Sequence, residues 1–179
     1  MTLLRVLTRC YRRPAMLQRN IASLCAQSSD DWEQTLLVDT VGVGVPAAQR
    51  VLAEQGRYLE GAYVWVLDDD DECIRPTLVE ELQGIAAMHD PDVVMVRMER
   101  NGAELPEPAY WGRAPQVGHV TCSGYIVRRA LWQQHADAWG AHYSGDFDFI
   151  AAVFATDPEV YWHDVVASAV QRISYGEPE

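Results

Sequence analysis

Residues 63–72 read Tyr-Val-Trp-Val-Leu-Asp-Asp-Asp-Asp-Glu, and few folds can hold such a run. The five apolar residues Tyr63 to Leu67 show no polar alternation, which suits a central strand covered on both faces. They lead straight into five carboxylates, Asp68 to Glu72. Two unit charges about 4 Å apart repel by roughly 4 kcal/mol at an effective dielectric near 20. A core strand ending in such a loop needs positive charge beside it, and a divalent cation with hard oxygen ligands is the natural candidate. Pro76 suits the first turn of a helix over residues 77–88. The carboxylates then lie at the C-terminal end of a strand, where open α/β sheets bind their ligands. The alternative reading is a solvated acidic turn in an acidic protein.

With 179 residues and 49% hydrophobic content, the chain is long enough for one domain with a real core. Its formal net charge of -12 argues against nucleic acid or an anionic membrane surface as the main partner. All 14 basic residues are arginine, which excludes mechanisms that need lysine, such as Schiff bases, Walker-type phosphate loops and protein-kinase chemistry. The four cysteines, Cys10, Cys25, Cys73 and Cys122, form no C-x-x-C pair and read as reduced thiols of a cytoplasmic protein. No apolar run approaches transmembrane length.

The chain opens with a strand, Leu3 to Thr8, followed by Arg9-Cys-Tyr-Arg-Arg-Pro14 and a helical pattern with Leu17, Ile21 and Leu24 on one face. Five arginines (Arg5, Arg9, Arg12, Arg13, Arg19) precede the first acid, Asp30. In so acidic a chain this reversal suggests an anion site at the strand end and helix start. Surface charge or a mitochondrial presequence are the other readings of the same arginines. A second strand, Thr35 to Asp39, again ends in a carboxylate, and a loop Val41 to Pro46 leads into a helix from Ala47 to Gln55. Gly42-x-Gly44 lacks the third glycine of a dinucleotide fingerprint, since position 47 is Ala47. Strand–helix alternation then predicts one parallel sheet with Thr8 to Arg13, Asp39 and Asp68 to Asp71 on one edge.

These residues, in this order, resemble the nucleotide-sugar-dependent glycosyltransferases of the GT-A fold, above all family 2. The residues that carry the resemblance are Thr8 with Arg13-Pro14, Ser23-Leu-Cys-Ala-Gln27, Asp39, and Leu67-Asp-Asp-Asp-Asp71 at the place of the D-x-D signature. It is most specific up to about Met98. The fold class it implies is α/β, a GT-A, Rossmann-like, mostly parallel sheet flanked by helices in a single compact domain. Residues 1–98 would form the nucleotide-sugar half and 99–179 the acceptor and catalytic half.

In the second half, Asp92 to Met98 reads as a fourth strand, Asn101-Gly102 as a turn, and Glu104 to Gly118 as an ordered irregular loop of an acceptor pocket or lid. Thr121 to Arg129 resembles the family's glycine-containing strand. Ser144-Gly-Asp-Phe-Asp-Phe149 stands at its Glu-Asp motif, with Gly145 in place of the usual glutamate. An acid placed for the helix dipole is the other reading of that stretch. His163-Asp164 also matches an HD phosphohydrolase pair, without the remaining ligands of such a site, and the Gln-x-x-Arg-Trp motif of processive synthases is missing.

The resemblance implies an inverting, non-processive transfer from a UDP, GDP or dTDP sugar to the hydroxyl of an unknown glycan or small-molecule acceptor. Mn²⁺ or Mg²⁺ would be held by Asp70 and Asp71, with His163 as a further ligand. Thr8, Arg9, Tyr11, Arg13, Asp39, Asp68 and Asp70 would bind the nucleotide, and Asp146, or failing it Asp148, would be the general base. A nucleotidyltransferase-like enzyme and a non-catalytic metal- or nucleotide-binding module are the alternatives.

Overall fold

A computed structural model describes residues 2–140 and 143–170. The expected alternation is present: strand β1 (Leu4–Cys10), helix α1 (Pro14–Cys25), β2 (Trp32–Val38), α2 (Val45–Gly56) and β3 (Tyr63–Val66). A short strand β4 (Asp71–Cys73), helix α3 (Leu78–His89) and the hairpin β5 (Val93–Arg100) and β6 (Ala103–Leu105) follow. The remainder is β7 (Tyr125–Arg128), α4 (Arg129–His135), α5 (Gly145–Phe154) and β8 (Val160–Val170). Asn101 and Gly102 both take positive φ, 55° and 78°, and close the β5–β6 hairpin as that sequence pair favours.

The eight strands form one sheet in the order β2-β1-β3-β7-β5-β8-β4, with β6 on β5. The expected parallel core is there, since β1 pairs in parallel with both β2 and β3 and β5 with β8, but β7, β4 and β6 run against their neighbours. The sheet is therefore mixed. It must also curl. Four inter-strand steps of about 4.8 Å would separate β3 from β4 by about 19 Å on a flat sheet. The chain from Val66 to Asp71 spans about 17 Å at full extension, and here it is folded by a 3.0 Å bond from the Asp71 amide to the Asp68 carbonyl.

Side-chain alternation along the strands fills two cores, one on each face. Leu7, Val64 and Val66 pack with Trp132, Trp139 and Phe149 on the side of α2, α4 and α5. Leu4, Val6, Tyr63, Trp65 and Leu67 pack with Leu24, Leu78 and Leu82 on the side of α1 and α3. β3 is buried on both faces, as its unbroken apolar run implies. Two local expectations are corrected. The buried stripe of α1 is Met16, Asn20 and Leu24, a spacing of four, so polar Asn20 takes a core position that Leu17 and Ile21 were expected to share. Pro76 lies before the N-cap Thr77, outside the first turn of α3, and its carbonyl accepts from the Ser28 amide at 2.7 Å.

Candidate active site

The acidic turn is tied down by the arginine corner facing it. Arg12 adopts φ 56°, a left-handed turn rare for a bulky residue. Arg13 is the N-cap of α1, with Pro14 in the first turn, and its side chain makes no cap bond. Its guanidinium instead reaches Asp69 at 2.6 Å and Asp70 at 2.9 Å. Arg9 grips Asp68 with two nitrogens, Nε lying 2.8 Å from Oδ1 and Nη2 on Oδ2. Such fork-to-carboxylate pairs are directional as well as strong. The Tyr11 amide adds a bond to Asp69 at 3.1 Å.

Below the turn, the Asn20 amide donates to the carbonyls of Asp68 and Asp71, each at 2.9 Å. The Gln34 amide in turn donates to Asn20 Oδ1 at 2.7 Å and to the Thr8 hydroxyl at 2.8 Å. Buried polar groups persist only when bonded, and this ladder of Thr8, Gln34 and Asn20 supports the backbone of the acidic turn from inside. Thr8 itself is fully buried.

Arg9, Tyr11, Arg13, Asp68 to Asp71, Arg100, Cys122 and Asp146 line one cavity of about 630 Å³. Of the residues expected to bind nucleotide, the cavity brings together Arg9, Tyr11, Arg13, Asp68 and Asp70. Thr8 stands behind it. Asp39 stands beside it, its carboxylate accepting the amides of Val41, Gly42 and Val43 at 2.7–2.9 Å. That loop needs its glycines: Gly42 and Gly44 have φ 83° and 81°, and a Cβ on Gly42 would strike the Tyr11 hydroxyl. Asp39 thus shapes the wall behind Tyr11.

Asp146 opens α5 and lines the cavity, whereas Asp148, two residues on and so on the far side of the helix, does not. The Tyr125 hydroxyl fixes the Asp146 carbonyl at 2.8 Å. Gly145 also has a steric reason, because a Cβ there would collide with the Trp139 carbonyl and lie 2.8 Å from Gln49 Oε1. A glutamate cannot occupy that position in this fold. Gln49, buried on α2, was not expected from the sequence; its amide donates to the Tyr143 carbonyl at 3.0 Å, while Oε1 has no partner among the described residues.

Burial sets the protonation of the site. It raises the Asp69 carboxyl to about 6, against the opposing pull of Arg13 and the Tyr11 amide. Burial, then the neighbouring Asp68 charge, also raises Asp70. Asp146 is raised by burial as well, only partly countered by the Phe147 amide and Arg9. Burial pushes the Cys122 thiol well above its usual value, so it stays protonated and is no nucleophile.

Charge decides whether a metal suits this site. The lining carries three arginines and five aspartates, so an anionic diphosphate enters only with further positive charge. Among the described residues no three His, Cys, Asp or Glu side chains converge as a complete metal cage. Magnesium at phosphate sites is held by one or two carboxylates together with phosphate oxygens and water, and Asp70 with Asp68 or Asp71 fits that donor set. His163 lies elsewhere: it sits on β8 with Nε2 2.7 Å from the Glu81 carboxylate, and it does not line the cavity.

Among the described residues no helix is long and apolar enough to cross a membrane, and the four cysteines are free thiols. No protein-family model matches the chain, and no curated protein sequence does. Solved structures do. The fold is similar to that of Staphylococcus aureus TarS residues 1–349 in complex with UDP, with a TM-score of 0.73 and 14% identity over 95% of this chain and 60% of that one. The same TarS segment in complex with UDP-GlcNAc gives a TM-score of 0.71 and 16% identity over 98% and 60%. A197 from STIV gives 0.56 and 14% over 92% and 82%. The chain thus spans about 60% of the length of the TarS segment. What these likenesses establish is the fold, and it is the α/β, GT-A-like fold expected from the order of motifs in the first half of the sequence.

Proposed function

We propose that the protein is a metal-dependent, inverting and non-processive glycosyltransferase that moves a sugar from a nucleoside-diphosphate donor to an acceptor hydroxyl. The observation that carries this reading is the convergence of the acidic turn, its arginine corner and Asp146 on one cavity. The fold is also one in which a chain binds UDP and UDP-GlcNAc, which makes UDP the first donor base to test, before GDP and dTDP.

In this reading Tyr11 offers its ring to the base, and Arg9 and Arg13 hold Asp68 and Asp70 in place for the donor. Asp70, with Asp68 or Asp71, would hold Mn²⁺ or Mg²⁺, which supplies charge neutralisation for the departing diphosphate. Asp146 takes the proton of the acceptor hydroxyl as that oxygen attacks the anomeric carbon. The bond from that carbon to the diphosphate oxygen breaks, and its electron pair leaves with the nucleotide. Attack from the face opposite the leaving group inverts the centre. Burial makes Asp146 a stronger base than a surface aspartate.

Calorimetric titration of UDP, GDP and dTDP, each with and without Mn²⁺, tests the donor site. Binding of at least one of them that requires the ion is the expected result. No binding of any nucleotide in the presence of Mn²⁺ overturns the proposal.

A further inference from the structure

Three arginines line the cavity, and two are already engaged, Arg9 by Asp68 and Arg13 by Asp69 and Asp70. Arg100 is different. It ends β5, pairs in register with Ala103 of β6 and Val170 of β8, and meets no carboxylate among the described residues. Its Nε is buried and makes no hydrogen bond to any described residue. The same cavity is also lined by Val117, Gly118, Val120, Thr121 and Val170, none of them acidic, and of these Val170 is the strand partner of Arg100. Arg100 as a whole is half-buried, yet a buried donor such as its Nε is costly to leave without a partner. Most other described arginines that leave the surface have found an acid, as Arg97 has Asp164 and Arg128 has Asp90 and Asp92.

We propose that Arg100 recognises an oxyanion, phosphate or carboxylate, carried by the acceptor; this rests on the glycosyltransferase reading of the same cavity. The sheet order gives the side. Arg9 near the end of β1, and Tyr11 and Arg13 just after it, bond directly to Asp68, Asp69 and Asp70. Asp71 pairs with Val170, and Val170 pairs with Arg100. The acidic turn therefore stands between the nucleotide corner and Arg100, and an anion on Arg100 lies across the turn from the donor nucleoside. The acceptor is then an acidic molecule, with its charge held by Arg100 and its hydroxyl presented to Asp146.

The Arg100 Nε–H is itself the probe. Methyl phosphate and acetate are titrated separately into the protein, with and without saturating UDP and Mg²⁺, while the arginine Nε–H signals are followed by NMR and assigned with the variant R100Q. The expected result is a saturable shift of the Arg100 signal by at least one of the two anions, unchanged by UDP. In R100Q the dissociation constant for that anion rises about tenfold or more, while UDP affinity stays at the wild-type value. Which anion shifts the signal distinguishes a phosphate-bearing from a carboxylate-bearing acceptor. A shift abolished by UDP, or weaker UDP binding in R100Q, assigns Arg100 to the donor diphosphate and overturns the proposal. No shift with either anion, with or without UDP, overturns it as well. A wild-type protein that binds no UDP sinks the donor-site reading, whereas the titration without UDP still reports on the anion site.

Discussion

Asn20 sits directly beneath Asp71, its side-chain amide 2.9 Å from the Asp71 carbonyl, and the same amide nitrogen serves Asp68 at an equal distance. One fully buried side chain on α1 thus fixes both ends of the acidic turn. Asn20→Ala removes one donor from each of those carbonyls and one acceptor from the Gln34 amide, while the Asp68 carbonyl keeps the Asp71 amide and Gln34 keeps Thr8. At about 1–3 kcal/mol for a buried polar group left unsatisfied, the variant should lose about 2–4 kcal/mol in urea unfolding. An unchanged midpoint would mean that the turn holds its shape without the ladder beneath it.

Arg13 is the cation that the acidic turn requires before any ligand arrives. Its side chain is 6% exposed and that of Asp69 is 0% exposed. Removing one partner of a buried pair typically costs about 3–5 kcal/mol. Arg13→Met should fall in that range by denaturant unfolding. The double variant with Asp69→Asn should be more stable than Arg13→Met alone, because it no longer buries an unpaired carboxylate. A double variant no more stable than the single one contradicts this account of the turn.

Acid unfolding should report on Glu81. Burial alone would raise its pKa, but hydrogen bonds from Arg75, Thr77 and His163 outweigh it and bring the carboxyl down from 4.5 to about 2. A carboxyl with a depressed folded pKa contributes stability that is present above its unfolded value and lost as pH falls towards the folded one. The stability difference between wild type and Glu81→Gln should therefore be flat above pH 4.5 and shrink between there and about pH 2. A difference that stays constant across this window would show that the ionised carboxylate is not what the cluster stabilises.

Asp146 should separate binding from turnover. Asp146→Asn keeps UDP and Mn²⁺ affinity and loses about 10²–10⁴-fold in transfer rate, the usual contribution of a general base. Asp148→Asn, outside the cavity lining, keeps its rate. Because burial raises the Asp146 pKa, the wild-type rate should fall on acidification with a midpoint above the ordinary carboxylate range. The variant should lack that limb. Wild-type transfer by Asp146→Asn would remove the residue from the mechanism.

Much of this site could be read from the sequence because its signals are local. An apolar run that ends in aspartates, an arginine corner before a proline and a Gly-Asp pair opening a helix are each contained in a few residues. Asn20, Gln34 and Gln49 escaped for the opposite reason: they are polar, so periodicity assigns them to a solvent face, and only partners far along the chain make burial affordable. β4 escaped because a strand beginning Asp-Glu has no β signature of its own and forms by pairing with β8. Arg100 escaped because a charged residue at a strand end looks like ordinary surface until the sheet curls a cavity around it.

That curl has a consequence for how the protein is assembled. Asp68 and Asp71 are three residues apart, yet Asp68 is anchored to the opening strand while Asp71 is anchored to β8, the last strand described. A ribosome that has made β1 to β4 has made every residue of the acidic turn but not the partner that seats its far end. The turn is therefore a late product of folding, closed only by contacts between distant parts of the chain, whose closure is slow to reward its entropic cost. A nascent or truncated chain ending before β8 would carry the complete acidic motif in its sequence and still lack the geometry that gives it meaning.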